Sequence, residues 1–285
     1  MIRPLFAMLV AVAAWTPLAV QAQDAGNVGT FKLPGGTEVI TFEDHAGAWV
    51  VVDTFLDVGS ASDFEGYPGI AAATAHAVWA GGKQAPGAAI AALGGEGHVV
   101  VDRTVTHFQA KLPAAKLDAG MTAIGEAFSH PDWAGLDLAK AFKSFDAAAA
   151  QALAAPNEAA FQTYMEASAD PAMGHAIYGA PGARFTREDI HAYFDRYYVP
   201  ARTKVVLTGD FATGKAVGQV VRSYAALLQR QASLGKLPVR PMPAARPAAK
   251  PARPLVLVGA RGPDIANARE QAAMEILKTV FAGTP

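Results

Sequence analysis

Strand-like segments open this sequence and Ala-rich helices fill its middle, and that order limits the fold more than any other feature. Residues Glu38–Phe42 have a strand-like pattern, and Trp49–Val58 is rich in β-branched and aromatic residues. A polar turn separates these two strands, which predicts a hairpin. Further strand-like runs cover His98–Val101, Thr106–Leu112 and Lys204–Thr208. We therefore predict an α+β fold, with a mixed, mostly antiparallel sheet and helices packed on one face.

Apolar residues at helical spacing and helix-capping residues predict several helices between these strands. A small-residue helix is expected over Gly69–Gly82, and a long Ala-rich helix over Leu136–Ala155. Thr186 can cap a helix that runs through Tyr197. The remaining helices are predicted over residues 88–93, 117–128, 161–169 and 214–231.

The first 22 residues have the composition of a secretory signal peptide. Arg3 precedes an apolar stretch over residues 5–20 that Pro17 interrupts, and small residues allow cleavage after Ala22. The stretch is too short and too broken for a stable membrane span, and an uncleaved membrane anchor is the alternative interpretation. We expect a periplasmic or secreted protein with no integral membrane span after removal of residues 1–22.

The rest of the chain divides into three parts. Residues 28–233 hold most of the predicted strands and helices and form the predicted N-terminal domain. Residues 234–253 contain five prolines with Lys and Arg and no sustained apolar period, which is typical of a linker. Residues 254–285 offer one strand and one helix, too little to bury a core, so they are predicted to begin a second, similar domain that is incomplete.

The amino-acid composition excludes several kinds of metal site, nucleophile and binding partner. The sequence has 0 Cys, which excludes thiolate metal sites, cysteine nucleophiles and a bacterial lipid anchor, and leaves His, Asp and Glu as metal ligands. Lys+Arg 24 against Asp+Glu 25 gives a net charge of -1, which argues against a nucleic-acid partner. The basic stretch Arg240–Arg253 has no interleaved aromatic residues and is predicted to be solvated.

Several separate motifs follow one another in an order found in one protein family. The most informative is Thr186–Ile190, followed by Tyr197–Ala201 and Val205–Asp210, a capped helix that leads into a strand. The other pieces are Leu33–Val39, Val58-Gly59-Ser60, Gly69-Ile70-Ala71, Gly94-Gly95, Pro156, His175 and Tyr178-Gly179. Together, over about residues 30–283, they resemble the insulinase or pitrilysin-like (M16-type) family of zinc metallopeptidases.

The resemblance implies a zinc motif, His-x-x-Glu-His, on the helix that follows the Gly-Ser strand. Two His four residues apart share one helix face and hold one ion, while the Glu acts as general base on the metal-bound water. The corresponding positions here are Ala72, Ala75 and His76. Because an alanine methyl group can neither ligate zinc nor accept a proton, the motif is degenerate and no catalytic residue is predicted.

The resemblance also implies a third ligand, a Glu on the long helix, but Leu136–Ala155 contains no Glu. Asp146 could substitute for it, so His76, His98 and Asp146 are weak metal candidates, set against the interpretation that His76 is an ordinary core histidine. In one unbroken strand His98 and His107 would face opposite sides, but a turn between them would change this. A single His of three ligands cannot hold catalytic zinc, so no metal and no cofactor are predicted, although active relatives use zinc.

These features together predict a non-catalytic member of the family. The resemblance implies an active peptidase subunit of the same family as its partner, with which the chain would enclose an extended peptide. The edge strand His98, Val99, Val100 and Val101 could bind that peptide through main-chain hydrogen bonds. Two alternatives remain open: an active zinc metallopeptidase with a rearranged ligand set, and a stand-alone peptide-binding or scaffold protein.

Overall fold

The computed structural model describes residues 23–24, 27–83, 85–154, 161, 164–165, 176–179 and 182–233. The predicted signal peptide, the predicted linker and the predicted second-domain segment lie outside this part of the chain. So do Pro156, His175 and most of the predicted helix 161–169. Among the described residues, no helix has the length and apolar character needed to cross a lipid bilayer.

The strands form one seven-stranded sheet in the order β1-β2-β3-β7-β4-β6-β5. Strands β3 and β7 run parallel, and the other neighbouring strands pair antiparallel. The predicted α+β class with a mixed, mostly antiparallel sheet is therefore confirmed. The strands are β1 Gln23–Asp24, β2 Val28–Lys32, β3 Glu38–Glu43, β4 Trp49–Leu56, β5 Glu96–Val101, β6 Thr106–Pro113 and β7 Thr203–Gly209.

The predicted hairpin of the first two strand-like segments is wrong. These segments are β3 and β4, and β7 lies between them, parallel to β3 and antiparallel to β4. The short turn after β3 crosses the end of β7, where Asp44 donates its backbone N–H to the carbonyl of Gly209 at 2.9 Å. Strand β7, which begins only at Thr203, thus separates two strands that are neighbours in the sequence. Strand β2 was not predicted either.

The helices agree closely with the predicted ones, with one exception. The predicted helix over residues 214–231 is interrupted at Tyr224, whose ψ of 15° ends one helix before the next begins. The helices are α1 Ile70–His76 with a π-helical continuation Ala77–Gly81, α2 Pro86–Ala92, α3 Leu117–Ser129, α4 Leu138–Leu153, α5 Arg187–Tyr197, α6 Thr213–Ser223 and α7 Ala225–Leu228.

Helix α5 begins as its sequence predicts. The Thr186 hydroxyl accepts the Asp189 backbone N–H at 3.2 Å, and the Asp189 carboxylate accepts the Thr186 N–H at 2.8 Å, which completes a capping box. This arrangement satisfies two backbone donors that a helix start otherwise leaves unpaired. It fixes the point at which α5 enters the core, where Phe194 stacks on Tyr198.

The two faces of the sheet differ in what covers them. On the covered face, alternate residues such as Val52, Phe108 and Leu207 are completely or almost completely buried and join the core beneath the helices. The opposite face, here called the open face, carries the intervening residues. Its fully or partly exposed side chains include Phe42, Trp49, Asp53, Phe55, Val100, His107 and Lys204.

Candidate functional site

Helix α1 is the helix on which the family resemblance places the zinc motif, and a buried carboxylate holds its first turn. One oxygen of Asp63 accepts the Gly69 N–H at 2.6 Å, and the other accepts the Ala71 N–H at 2.9 Å. Both donors belong to the positive end of the helix, so a carboxylate is well placed there. Burial raises the pKa of Asp63, and the two N–H donors oppose that rise.

Gly69 precedes α1 in a conformation that requires glycine. Its φ is 92°, and a Cβ built on it would lie 2.7 Å from backbone atoms of Tyr178 and Gly179. The segment around Tyr178 therefore packs directly against the start of α1. Gly69 and Asp63 together determine where α1 begins and how closely this segment approaches it.

The degenerate motif positions on α1 lie inside the core. Ala72 and Ala75 are both 0% exposed, and neither side chain carries an atom that could bind a metal ion or a proton. A catalytic zinc needs three protein ligands and one open position for water. The residues present at these positions therefore do not fit a catalytic zinc ion.

His76 is a neutral, hydrogen-bonded core residue. Its side chain is buried, and its Nδ1 lies 2.9 Å from the Ser144 hydroxyl of α4. The ring contacts the edge of Phe145 and also Tyr178. Burial lowers the pKa of His76 to about 4, so the imidazole is uncharged at neutral pH. Its Nε2 has no hydrogen-bond partner among the described residues.

Asp146 is engaged elsewhere. Its two carboxylate oxygens accept hydrogen bonds from Arg184 at 2.8 and 3.2 Å, and nearly half of each side chain is exposed. Ser144, which contacts His76, precedes Asp146 by two residues, and residues so spaced do not share a helix face. The other acid of this region, Asp137, caps α4 by accepting the Lys140 N–H at 3.0 Å.

Strand β5 contains the predicted edge strand, and it does lie at one end of the sheet. Within the described part of the chain it pairs only with β6. Glu96, His98 and Val100 point to the open face, whereas Val99 and Val101 are buried. The π-helical continuation of α1 reaches this strand, because a Cβ built on Gly97 would lie 3.0 Å from the ring of Trp79. The motif helix and the edge strand are therefore neighbours.

His98 and His107 lie on the same face, as the turn between their strands allows. The register of β5 and β6 pairs His98 with Gln109 and Val100 with His107. The two imidazole rings are 6.5 Å apart. His76 is thus buried beneath the sheet, whereas His98 lies on its open face and Asp146 is bound to Arg184. Across the described ranges, no three His, Asp or Glu residues are grouped so that they could hold a metal ion.

Sequence reasoning missed two residues that shape this site. Asp63 lies seven residues before the start of α1, outside its first turn, so the usual signal of an acidic residue at a helix N-terminus does not mark it. Ser144 contacts His76 across 68 residues of sequence, and no local pattern marks such a contact.

One family model matches the sequence. The model described as "Peptidase M16 inactive domain" matches residues 184–285, which include α5, β7, α6 and α7 and continue into residues outside the described part. Helix α1 precedes the matched residues. A search of curated proteins finds no match to the sequence.

Solved structures of M16-type proteins share the fold. The crystal structure of pitrilysin aligns with a TM-score of 0.62 at 17% identity, over 79% of this chain and 25% of that one. An M16 inactive domain from Pseudomonas fluorescens aligns with 0.62 at 20% identity, over 74% and 53%. The first half of the periplasmic protease PqqL from Escherichia coli aligns with 0.63 at 16% identity, over 77% and 50%.

The sequence match and the shared fold confirm the resemblance to the insulinase or pitrilysin-like, M16-type family. Residues 184–285 resemble the domain that the matched model describes as inactive, and the described part of the chain shares its fold with a solved M16 inactive domain. At 15–20% identity the solved structures establish the fold alone. The chain spans about a quarter to a half of the length of those structures.

Proposed function

We propose that this chain is an exported, non-catalytic M16-type subunit that pairs with an active zinc peptidase and helps to enclose or bind an extended peptide. One observation carries the proposal. On α1 the positions for a zinc ligand and a general base are buried alanines, yet the neighbouring strand β5 keeps a free edge among the described residues. Peptide hydrolysis would need the zinc ligand and the general base that these alanines cannot provide. Binding of a peptide through its main chain needs only the edge of β5.

Peptide binding by β5 follows from the chemistry of sheet edges. An edge strand presents backbone N–H and C=O groups that another extended chain can pair with. Natural edges are often protected by Pro, Lys or a bulge, but β5 has neither Pro nor Lys, and its pairing with β6 is continuous from Glu96 to Val101. Val100, which is 46% exposed, offers apolar contact to a side chain of the added strand.

The export and pairing parts of the proposal have other support. Residues 1–22 have the pattern of a signal peptide, and one protein of the same fold, PqqL, is described as periplasmic. Pairing rests on the resemblance to the M16-type family, which implies an active peptidase subunit of the same family as the partner.

A binding assay tests the peptide part of the proposal. We would titrate the protein from residue 23 onward into a fluorescein-labelled pool of random 15-residue peptides and record anisotropy and cleavage. We expect saturable binding without cleavage, weakened at least tenfold by Val100→Lys, because a charged edge discourages strand addition. The matched control is Thr208→Lys on β7, an exposed position away from the edge, which should bind normally.

The same assay has a control on the peptide side. Peptides methylated on successive backbone nitrogens keep their side chains but lose the main-chain N–H donors along both edges, so they should bind at least tenfold more weakly. Equal binding of methylated and unmethylated peptides would contradict strand addition at β5.

Pairing with an active subunit is tested by pull-down of the tagged protein from a periplasmic extract. We expect the retained proteins to include one that contains His-x-x-Glu-His. If none of the retained proteins contains this motif, the proposed active partner is contradicted.

A further inference from the structure

His107 on β6 is held in one orientation on the open face. Its Nε2 lies 2.7 Å from a carboxylate oxygen of Asp53 on β4, and the same oxygen accepts the side-chain N–H of Gln109 at 3.0 Å. The ring of Phe55 stacks on the imidazole, with centroids 4.3 Å apart and an interplanar angle of 8°. Because Nε2 faces the carboxylate, Nδ1 is the nitrogen left for another ligand.

His98 lies beside this fixed imidazole on the neighbouring strand. It is exposed, and its ring centroid is 6.5 Å from that of His107 at an interplanar angle of 74°. The side chain of His107 is only 22% exposed. One imidazole is therefore oriented in advance and the other can turn toward it.

The distance between the His98 and His107 rings can be compared with the distance that a shared metal ion requires. A divalent transition metal lies about 2.1 Å from each ligating nitrogen, so two rings that share one ion have centroids roughly 4.6 Å apart in cis coordination and roughly 6.5 Å apart in trans coordination. The observed separation of 6.5 Å lies at the upper end of this range, and rotation of the exposed His98 ring toward His107 shortens it. A histidine ligand commonly donates its second N–H to a carboxylate, which is the relation of His107 to Asp53.

We propose that His98 and His107 form a surface site for one divalent transition-metal ion, with Asp53 positioning His107 and water filling the remaining coordination positions. Two protein ligands are fewer than zinc takes in structural or catalytic sites, which agrees with the lack of any three-ligand group in the described part of the chain. Imidazole ligands bind Cu²⁺ more tightly than Ni²⁺ or Zn²⁺ in a site without imposed geometry, so Cu²⁺ is the ion of choice for a test.

This site is separate from the motif helix and does not depend on the proposed function. We would titrate Cu²⁺ into the protein from residue 23 onward, measure affinity by calorimetry, and record the electron paramagnetic resonance spectrum for nitrogen coupling. The expected result is one Cu²⁺ per chain with two coordinating imidazoles. His98→Ala and His107→Ala should each weaken binding at least tenfold, and Asp53→Asn should weaken it by about tenfold through His107.

Two controls keep the outcome decisive. His98 is exposed, so His98→Ala should leave the fold intact even where His107→Ala disturbs the Phe55 stack. His45→Ala should bind Cu²⁺ as the parent does, because both His45 nitrogens already face the carboxylates of Glu43 and Asp210. Binding that survives His98→Ala, or that is lost in His45→Ala instead, would overturn the site, as would a spectrum with a single imidazole.

Discussion

Helix α1 and strand β5 are neighbours in the fold but differ in what they leave accessible. On α1 the motif positions Ala72 and Ala75 are fully buried, and His76 is paired with Ser144. On β5 every second side chain points to the open face, and β6 is its one partner strand among the described residues. The contrast teaches that the motif positions of α1 contribute only packed core, whereas β5 keeps an accessible strand edge among the described residues.

Returning an acid to the general-base position gives the largest expected effect. Ala75→Glu would place a carboxylate where the side chain is 0% exposed, and burial of an unpaired charge should cost about 4 kcal/mol or more of unfolding free energy. Val100→Glu puts the same residue on the exposed edge and should change stability by less than about 0.5 kcal/mol. Urea unfolding measures the stability of both variants. Equal unfolding free energies would contradict the difference in burial between the motif positions of α1 and the edge of β5.

Removing the carboxylate at the start of α1 should have the next largest effect. Asp63→Ala leaves the N–H groups of Gly69 and Ala71 buried without an acceptor, at an expected cost of about 3 kcal/mol. Asp63→Asn retains one acceptor oxygen and should cost roughly half as much. Asp118→Ala, on the exposed first turn of α3, is the matched control and should cost less than about 1 kcal/mol. Equal losses for Asp63→Ala and Asp118→Ala would show that α1 does not depend on Asp63.

The pH dependence of stability tests the burial of His76 itself. Its folded pKa of about 4 lies below the ordinary value of 6.5, so the stability it contributes is complete above 6.5 and is lost as the pH falls toward 4. Between pH 7 and 4.5 the loss should be roughly 2 kcal/mol. His76→Gln lacks this titration, and the difference between parent and variant isolates it from Asp63, whose raised pKa acts in the opposite direction. A parent and variant with the same pH profile would mean that His76 is solvated.

The smallest expected change in stability lies on the edge strand. Val100→Lys replaces a side chain that is 46% exposed, so the unfolding free energy should move by no more than about 0.5 kcal/mol. Peptide binding should nevertheless fall at least tenfold. A loss of more than about 2 kcal/mol would instead assign Val100 to the core and remove the distinction between folding and binding residues.

Local patterns predicted much of this fold. The capping residue Thr186 marked the start of α5, and the β-branched and aromatic residues of Trp49–Val58 marked β4. The degenerate motif could also be recognised directly, because Ala72 and Ala75 carry no ligating atom whatever surrounds them. These features depend on residues a few positions apart, where sequence and geometry are closely coupled.

Contacts between distant residues could not be predicted in the same way. The hairpin of β3 and β4 was expected because adjacent strands commonly pair, but β7 forms hydrogen bonds with both and excludes that pairing. The Ser144 partner of His76 and the Asp53 partner of His107 come from strand register and helix packing across more than 50 residues. Only the assembled sheet brings those side chains together.

The most direct test of a non-catalytic α1 is the zinc content of the protein from residue 23 onward, measured by elemental analysis beside a peptide-cleavage assay. The His98→Ala variant should be used, so that metal on the open face does not obscure the result. The account predicts no stoichiometric zinc in this variant and no cleavage with added zinc. Tightly bound zinc with cleavage, both lost on His76→Ala, would contradict it and would make this chain an active peptidase.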